Sequence, residues 1–404
     1  MRHKDAEIKI IDTNLTLKSG AKPGILIYYY PRLLKPDVPF IFLANGFSAN
    51  AKTWTFEPLI GDGSFGLSLA AYLARQGFVV VVKNVGSERA VLEPTFEHHC
   101  GHVPQYAEAV IKQVPPVVRE VTALNIRKPD GVHWVGHSLG GMEVMAAEDR
   151  SWIKSLITIA APTFMESQEI YTKLIAVFLA RIIGLHRRQI NLALPIEWFG
   201  KEAHKVFDLI GIRSGQKLSR EQKFLITLLL HLPGFRLAAY NFLNLEHLDR
   251  ETSTAFFRTA LSDETAYILV EFAQAVLKGR AGNDFVVGRK IVPLRIPTLV
   301  IAGGGDRIAP PHSCENLLQF VEHPRKEAVI FDEYDHLGLL VRASALNEVW
   351  HIITSFILEA NISLHATLSE IRAVSRKLQS IIDDDQIGET ARQFAKRILH
   401  RLHI

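Results

Sequence analysis

The sequence predicts an α/β protein, a mostly parallel sheet flanked by helices and interrupted by a long all-helical segment. Three observations carry that expectation. Short, almost uninterrupted apolar runs at 39–44, 78–82 and 132–135 alternate with helical stretches, the rhythm of strands buried on both faces. The rhythm stops near residue 161 and resumes at 297. Between the two, residues 131–141 (GVHWVGHSLGG) read as strand, sharp turn and helix around Ser138.

Taken in order, strands are expected at 8–17, 24–30 and 39–44, with Gly20, Pro23 and Pro36 in the intervening turns. A helix over 65–76 is closed by Gly77, and a buried strand follows at 78–82. The next helix is expected over 103–122, with Pro104 in its first turn and Pro115-Pro116 kinking or dividing it. After the strand at 132 and the helix at 142–147, residues 153–160 form another buried strand. Helical periodicity without a buried strand then fills 161–292, most plainly at 170–185, 201–209, 220–232 and 263–278. Strands return at 297–302 and 328–331, separated by a helical segment over 311–321. A last core helix spans 344–360, stopped by Asn361, and a tail carries helices near 364–382 and 389–403. The domain division expected is therefore 1–161 and 293–360 for the core, 162–292 for the inserted cap, and 361–404 for a helical extension.

Composition narrows the function classes. With 48% hydrophobic and 22% charged residues the chain is globular, and a net charge of +4 over 404 residues predicts no nucleic-acid surface. The charged start, residues 1–7, lacks the apolar core of a secretory leader, and Cys100 and Cys314 lie far apart in no metal-binding spacing. Both features fit a reducing, cytoplasmic setting. No run reaches the roughly 18–20 apolar residues of a membrane span. Gly303-Gly304-Gly305 lacks dinucleotide-loop spacing, and no phosphate loop or metal-ligand cluster occurs, so neither cofactor nor metal is expected.

What the pattern does offer is a nucleophile. Gly136-His137-Ser138-Leu139-Gly140 places Ser138 on a strained strand-to-helix turn, where Gly136, Gly140 and Gly141 let the backbones approach. A serine hydroxyl needs a base, and the base needs an orienting acid. Asp306 follows one buried strand and His336 the next, so both leave the sheet at carboxyl ends, the edge where Ser138 also emerges. Asp306 also reads as a turn cap ahead of Pro310-Pro311. His312 and His323 are rival bases on or next to the intervening helix, away from a strand end; Asp332, Glu333 and Asp335 are weaker acids, too close in sequence to His336 to reach behind it. Backbone donors for a developing oxyanion are expected from Leu139, at the start of the helix, and Phe47, in a loop that Gly46 leaves open to close approach.

These residues resemble the α/β-hydrolase superfamily over about 7–360, the insertion apart. Asn45-Gly46-Phe47 is similar to its H-G-[FGA] oxyanion loop with Asn in place of His, residues 136–141 to its elbow, and Gly305-Asp306 and His336 to its acid and base. The resemblance implies a catalytic triad and a mostly parallel eight-stranded sheet, with a helical cap after the sixth strand.

On this reading the chain is a serine hydrolase cleaving a carboxylic ester through an acyl-enzyme on Ser138. An acyltransferase, with an alcohol or amine resolving the same intermediate, is the alternative. A non-catalytic binding protein has no need of Ser138, Asp306 and His336 together. The apolar cap, with IAVFL at 175–179 and FLITLLL at 224–230, suits a hydrophobic, acyl-type small-molecule ester, though such stripes also serve packing. In the tail, Phe394, Ile398 and Leu402 form one stripe beside basic residues. It reads either as packing or as peripheral contact with an anionic membrane. The sequence leaves oligomeric state open.

Overall fold

A computed structural model describes residues 7–47, 49–57, 66–85, 92–165, 193–194, 256, 259–262, 264–362 and 366–402. An eight-stranded sheet runs through them: β1 (Lys9–Asn14), β2 (Gly24–Tyr29), β3 (Phe40–Ala44), β4 (Val79–Asn84), β5 (Val132–His137), β6 (Ile153–Ile159), β7 (Thr298–Gly303) and β8 (Lys326–Phe331). Their spatial order is β1-β2-β4-β3-β5-β6-β7-β8. β2 pairs antiparallel with both β1 and β4, and every later pairing is parallel. β3 and β5 are buried at every position, as expected of strands covered on both faces. Their carboxyl ends, with those of β7 and β8, set the edge at which the site is built.

The helices begin with α1 (Lys52–Thr55) and α2 (Leu69–Arg75), the latter capped by Ser68, whose side chain accepts from the Ala71 amide. Gly77 (φ 86°) ends α2 in the left-handed region that glycine adopts without strain. α3 (Phe96–Thr122) departs from expectation by starting seven residues early. The cause is a Thr95 cap accepting from the His98 amide, followed by buried positions at Phe96, His99, Cys100 and Val103 that continue the apolar face backwards. Pro104 consequently lies inside the helix, and Pro115-Pro116 leave it undivided. Gln105 Nε2 donates to the Gly101 carbonyl at 3.2 Å, one turn below. α4 (Leu139–Ala146) follows Ser138 and is buried throughout.

Most of the expected cap, including the helices at 170–185, 201–209 and 220–232, lies outside the described residues. Within the described part α5 (Ala266–Lys278) is helical as expected, but Ala193–Leu194 pairs with Glu264–Thr265 and Phe285–Val286 with Arg289–Lys290, so the segment is not helical throughout. The second pairing is a tight hairpin in which Val287 (φ 49°) and Gly288 (φ 81°) both take positive φ, the turn that matches strand twist. Its Val286 is buried and the hairpin packs on α4, while the Val292 amide donates to the Met145 carbonyl.

α6 (Pro311–Glu315), α7 (Gly338–Val341) and α8 (Val349–Ala360) complete the core. The tail forms α9 (Leu368–Asp383), opened by a Thr367–Glu370 capping box, and α10 (Glu389–Leu402). They pack on each other and on α8. Phe394 and Ile398 are fully buried, so the stripe considered for lipid contact is spent on the protein's own core. Among the described residues no helix is long and apolar enough to cross a membrane.

Candidate active site

Ser138 sits between β5 and α4 with φ 50° and ψ −119°, a conformation that costs a non-glycine residue energy and persists only where its surroundings dictate it. They do so through backbone contact. A Cβ on Gly136 would lie 2.2 Å from the Gly140 carbonyl oxygen, one on Gly140 2.3 Å from that of Ala44, and one on Gly141 2.7 Å from the Ala161 Cβ. All three glycines sit where a side chain would collide with a neighbour. The Ser138 amide donates to the Ile159 carbonyl at 2.9 Å, and the buried Trp134 Nε1 donates to that of Gly140 at 2.9 Å, fixing the turn against β6 and β5.

The loop after β3 passes beside this turn. A Cβ on Gly46 would meet His137 Nδ1 at 2.8 Å and the Ser138 Cβ at 3.2 Å. Phe47 follows directly on this close approach to Ser138, while Leu139 occupies the first position of α4, whose amide has no carbonyl one turn back to bond. Asn45, standing where the resemblance has His, donates from Nδ2 to the Lys83 carbonyl at 2.8 Å and ties the loop to the end of β4.

β7 and β8 lead into the loops that carry Asp306 and His336. A Cβ on Gly303 would lie 2.3 Å from the Tyr334 carbonyl oxygen and one on Gly304 2.7 Å from the Asp332 Cα, so the two loops run backbone against backbone. That contact brings Asp306 Oδ2 to 2.8 Å from His336 Nδ1, with Asp306 at 3% and His336 at 1% exposure. The second carboxylate oxygen accepts from the Ile308 and Ala309 amides, each at 2.8 Å. Asp306 is accordingly both the turn cap and the histidine's partner, and the two readings do not compete. With Nδ1–H donated to the carboxylate, His336 Nε2 keeps its lone pair.

Of the rivals, His312 is exposed on the helix Pro311–Glu315. His323 precedes β8, at the opposite end of the strand from His336, and accepts from the Arg325 amide at 3.0 Å. Asp332 and Glu333 are exposed. Asp335 is buried but its Oδ1 accepts from the Leu337 and Gly338 amides, capping α7, and burial raises its carboxyl above the usual range. A cavity of 740 Å³ lies at the other edge of the sheet, between the tail and residues such as Phe78 and Lys154, and no predicted site residue lines it.

Sequence reasoning overlooked His137. Its Nε2 donates to the His336 carbonyl at 3.0 Å and its ring lies 4.8 Å from that of His336, so the residue before Ser138 holds the segment bearing His336. Burial pushes its pKa down to about 3, which keeps it neutral. The signal was its place as the variable residue of the elbow. Also overlooked was a buried ion cluster. Lys83 Nζ lies 2.7 Å from both Glu93 carboxylate oxygens, and His99 Nδ1 lies 3.1 Å from Glu93 Oε2 and 3.2 Å from Glu143 Oε2. A lysine closing a run of four valines and a glutamate in a Met/Ala helix were the available clues.

The structure search finds the same fold. Over 90% of this chain and 98% of the other, it is similar to a soluble variant of monoglyceride lipase from Saccharomyces cerevisiae, with 14% identity and a TM-score of 0.51. An esterase from Thermogutta terrifontis matches 87% of this chain and 99% of its own, with 14% identity and a TM-score of 0.44. A monoacylglycerol lipase from Paleococcus ferrophilus matches 88% and 100%, with 12% identity and a TM-score of 0.41. No curated protein matches the sequence. The family model described as "Alpha/beta hydrolase family" matches residues 41–349. That span runs from within β3 to the first residue of α8, and the chain belongs to the alpha/beta hydrolase family.

Proposed function

We propose that this protein is a serine hydrolase that cleaves a carboxylic ester through an acyl-enzyme on Ser138. The observation that carries the reading is the buried His336–Asp306 pair at 2.8 Å, on the same sheet edge as a serine held at φ 50°. In this mechanism His336 Nε2 takes the hydroxyl proton as Ser138 Oγ attacks the carbonyl carbon. The oxyanion forms against the Phe47 and Leu139 amides. Collapse breaks the bond to the alcohol, which leaves with the proton from His336. Water repeats the sequence on the acyl-serine, giving its proton to His336, and the acid departs as Ser138 Oγ is reprotonated. Asp306 stays ionised and steadies the imidazolium throughout.

For the substrate we infer a hydrophobic acyl ester. The support is aromatic: Phe47 of the oxyanion loop packs on Phe272 of α5 with ring centroids 5.2 Å apart, and Phe56 on Phe256 at 5.4 Å. Apolar walls favour apolar ligand area at about 25 cal/mol per Å². Fluorophosphonate labelling of the wild type and Ser138→Ala, then hydrolysis of esters graded in acyl length, tests both parts. The expected result is labelling lost in the variant, turnover down by on the order of 10⁴- to 10⁶-fold, and medium acyl chains preferred over acetyl. Labelling that persists in Ser138→Ala rejects the nucleophile; a preference for short polar esters rejects the substrate class. Alcohol acceptors added to the same assay reveal transfer as ester product.

A further inference from the structure

Among the buried ionisable side chains that the mechanism does not use, four lie where the pieces of the site meet. Lys83 is the penultimate residue of β4, Glu93 precedes α3, His99 is on the first turn of α3, and Glu143 is on α4, five residues past Ser138. Exposure is 1% for Lys83 and Glu143 and zero for Glu93 and His99. Besides the contacts already given, Lys83 Nζ lies 3.9 Å from Glu143 Oε2 and 4.6 Å over the Tyr106 ring, and His102 Nδ1 lies 3.5 Å from Glu93 Oε1. At its backbone the same Lys83 accepts the hydrogen bond from Asn45, the residue two before Phe47.

The cluster therefore joins the two halves of the proposed oxyanion site. One arm runs from Glu143 on the elbow helix through His99 to Glu93. The other runs from Glu93 through Lys83 to Asn45 and its loop. Taking these charges out of water opposes folding, and an apolar quartet of similar volume would pack there at no such cost. What an apolar quartet lacks is direction: hydrogen-bonded ions fix distances that dispersion leaves slack.

We propose that Lys83, Glu93, His99 and Glu143 are positioning residues, an ion cluster that sets the spacing between the Phe47 amide and the Ser138–Leu139 turn. The inference rests on Ser138 being the nucleophile. None of the four touches substrate; each acts through the elbow helix or the oxyanion loop.

The test compares the wild type, Glu143→Gln, Lys83→Met, Lys83→Arg and Ser138→Ala, with kcat and KM for p-nitrophenyl butyrate referred to active sites titrated with the fluorophosphonate probe. Titration counts only folded sites, which removes the effect of lowered stability. Glu143→Gln is nearly isosteric and keeps a hydrogen-bonding group, so the result rests on it if Lys83→Met is not recovered folded. Expected is a fall in kcat per titrated site on the order of ten- to hundred-fold, with KM within about twofold, because misplacement of the oxyanion donors is felt in the transition state. Lys83→Arg restores part of the Lys83→Met loss. Wild-type kcat per site in Glu143→Gln overturns the proposal, as does a change confined to KM. Labelling that survives in Ser138→Ala overturns instead the nucleophile on which it rests, so the two failures are distinguishable.

Discussion

Two ion networks hold this molecule in different ways. Lys83, Glu93, His99 and Glu143 are sealed behind the elbow. On the outside, Arg397 reaches Glu327 at 2.5 Å, and Arg401 grips Glu359 through two contacts of 2.9 and 3.0 Å while touching Glu327 at 3.3 Å. The outer arginines are 50% and 43% exposed. Water already solvates Arg397 and Arg401, so the Arg397–Glu327 pairing adds little and salt weakens it, although Glu359 itself is buried and relies on Arg401. The inner charges have lost their water, and each depends on its partners. Charge inside the fold is thus suited to geometry, and charge outside it to holding a packed tail in register.

Breaking the inner network is the largest effect expected. Lys83→Met strands two buried carboxylates and lowers unfolding free energy by about 3–5 kcal/mol, read by urea denaturation. Replacing all four members with apolar residues together recovers much of that loss while leaving kcat low, which would sharpen the separation of geometry from stability. Acid acts on a different set of groups. His133 and His137 are buried and His351 is half-buried, with pKa values pushed down from 6.5 to about 3, 3 and 4, desolvation being the main cause in each. The unfolded chain binds protons at these residues below about pH 6.5 and the folded chain does not, so their contribution is intact above 6.5 and is lost as pH falls toward 4 and then 3. Melting scans between pH 7 and 4 should show the midpoint falling, and His351→Gln should flatten the decline. The smallest effect is outside: Arg397→Ala costs about 0.2–1 kcal/mol, and less as salt is raised. A larger, salt-independent loss there would break the contrast.

Much of this was legible in the sequence because the relevant signals are local. Val132, Trp134 and Val135 ahead of Gly136 announce a buried strand, and the glycines around Ser138 announce close backbone contact. Asp306 and His336 could be paired because strand ends in a parallel sheet share an edge. The ion cluster was illegible since its members come from four separate segments, and nothing local to Lys83 names Glu143 as a neighbour. The early start of α3 was missed for a different reason. Thr95 is an ordinary cap residue, and His98-His99 does not read as apolar although His99 is buried. At the tail, Phe394, Ile398 and Leu402 gave a correct stripe but not the surface it meets, because amphipathicity specifies a face and not its partner.

The last strand gives the tail a consequence of its own. β8 is the outer strand of the sheet, and an outer strand offers unpaired amides and carbonyls to any strand that drifts by. Glu327 on that strand is claimed by Arg397 and Arg401 of α10, and Lys326 Nζ is folded back onto the Leu318 and Val321 carbonyls at 3.0 and 2.9 Å. At the other margin, β1 turns the charged Lys9 outward to water. The helical extension thus stands guard at one end of the sheet, and charge at both margins discourages the sheet from growing into a neighbouring copy.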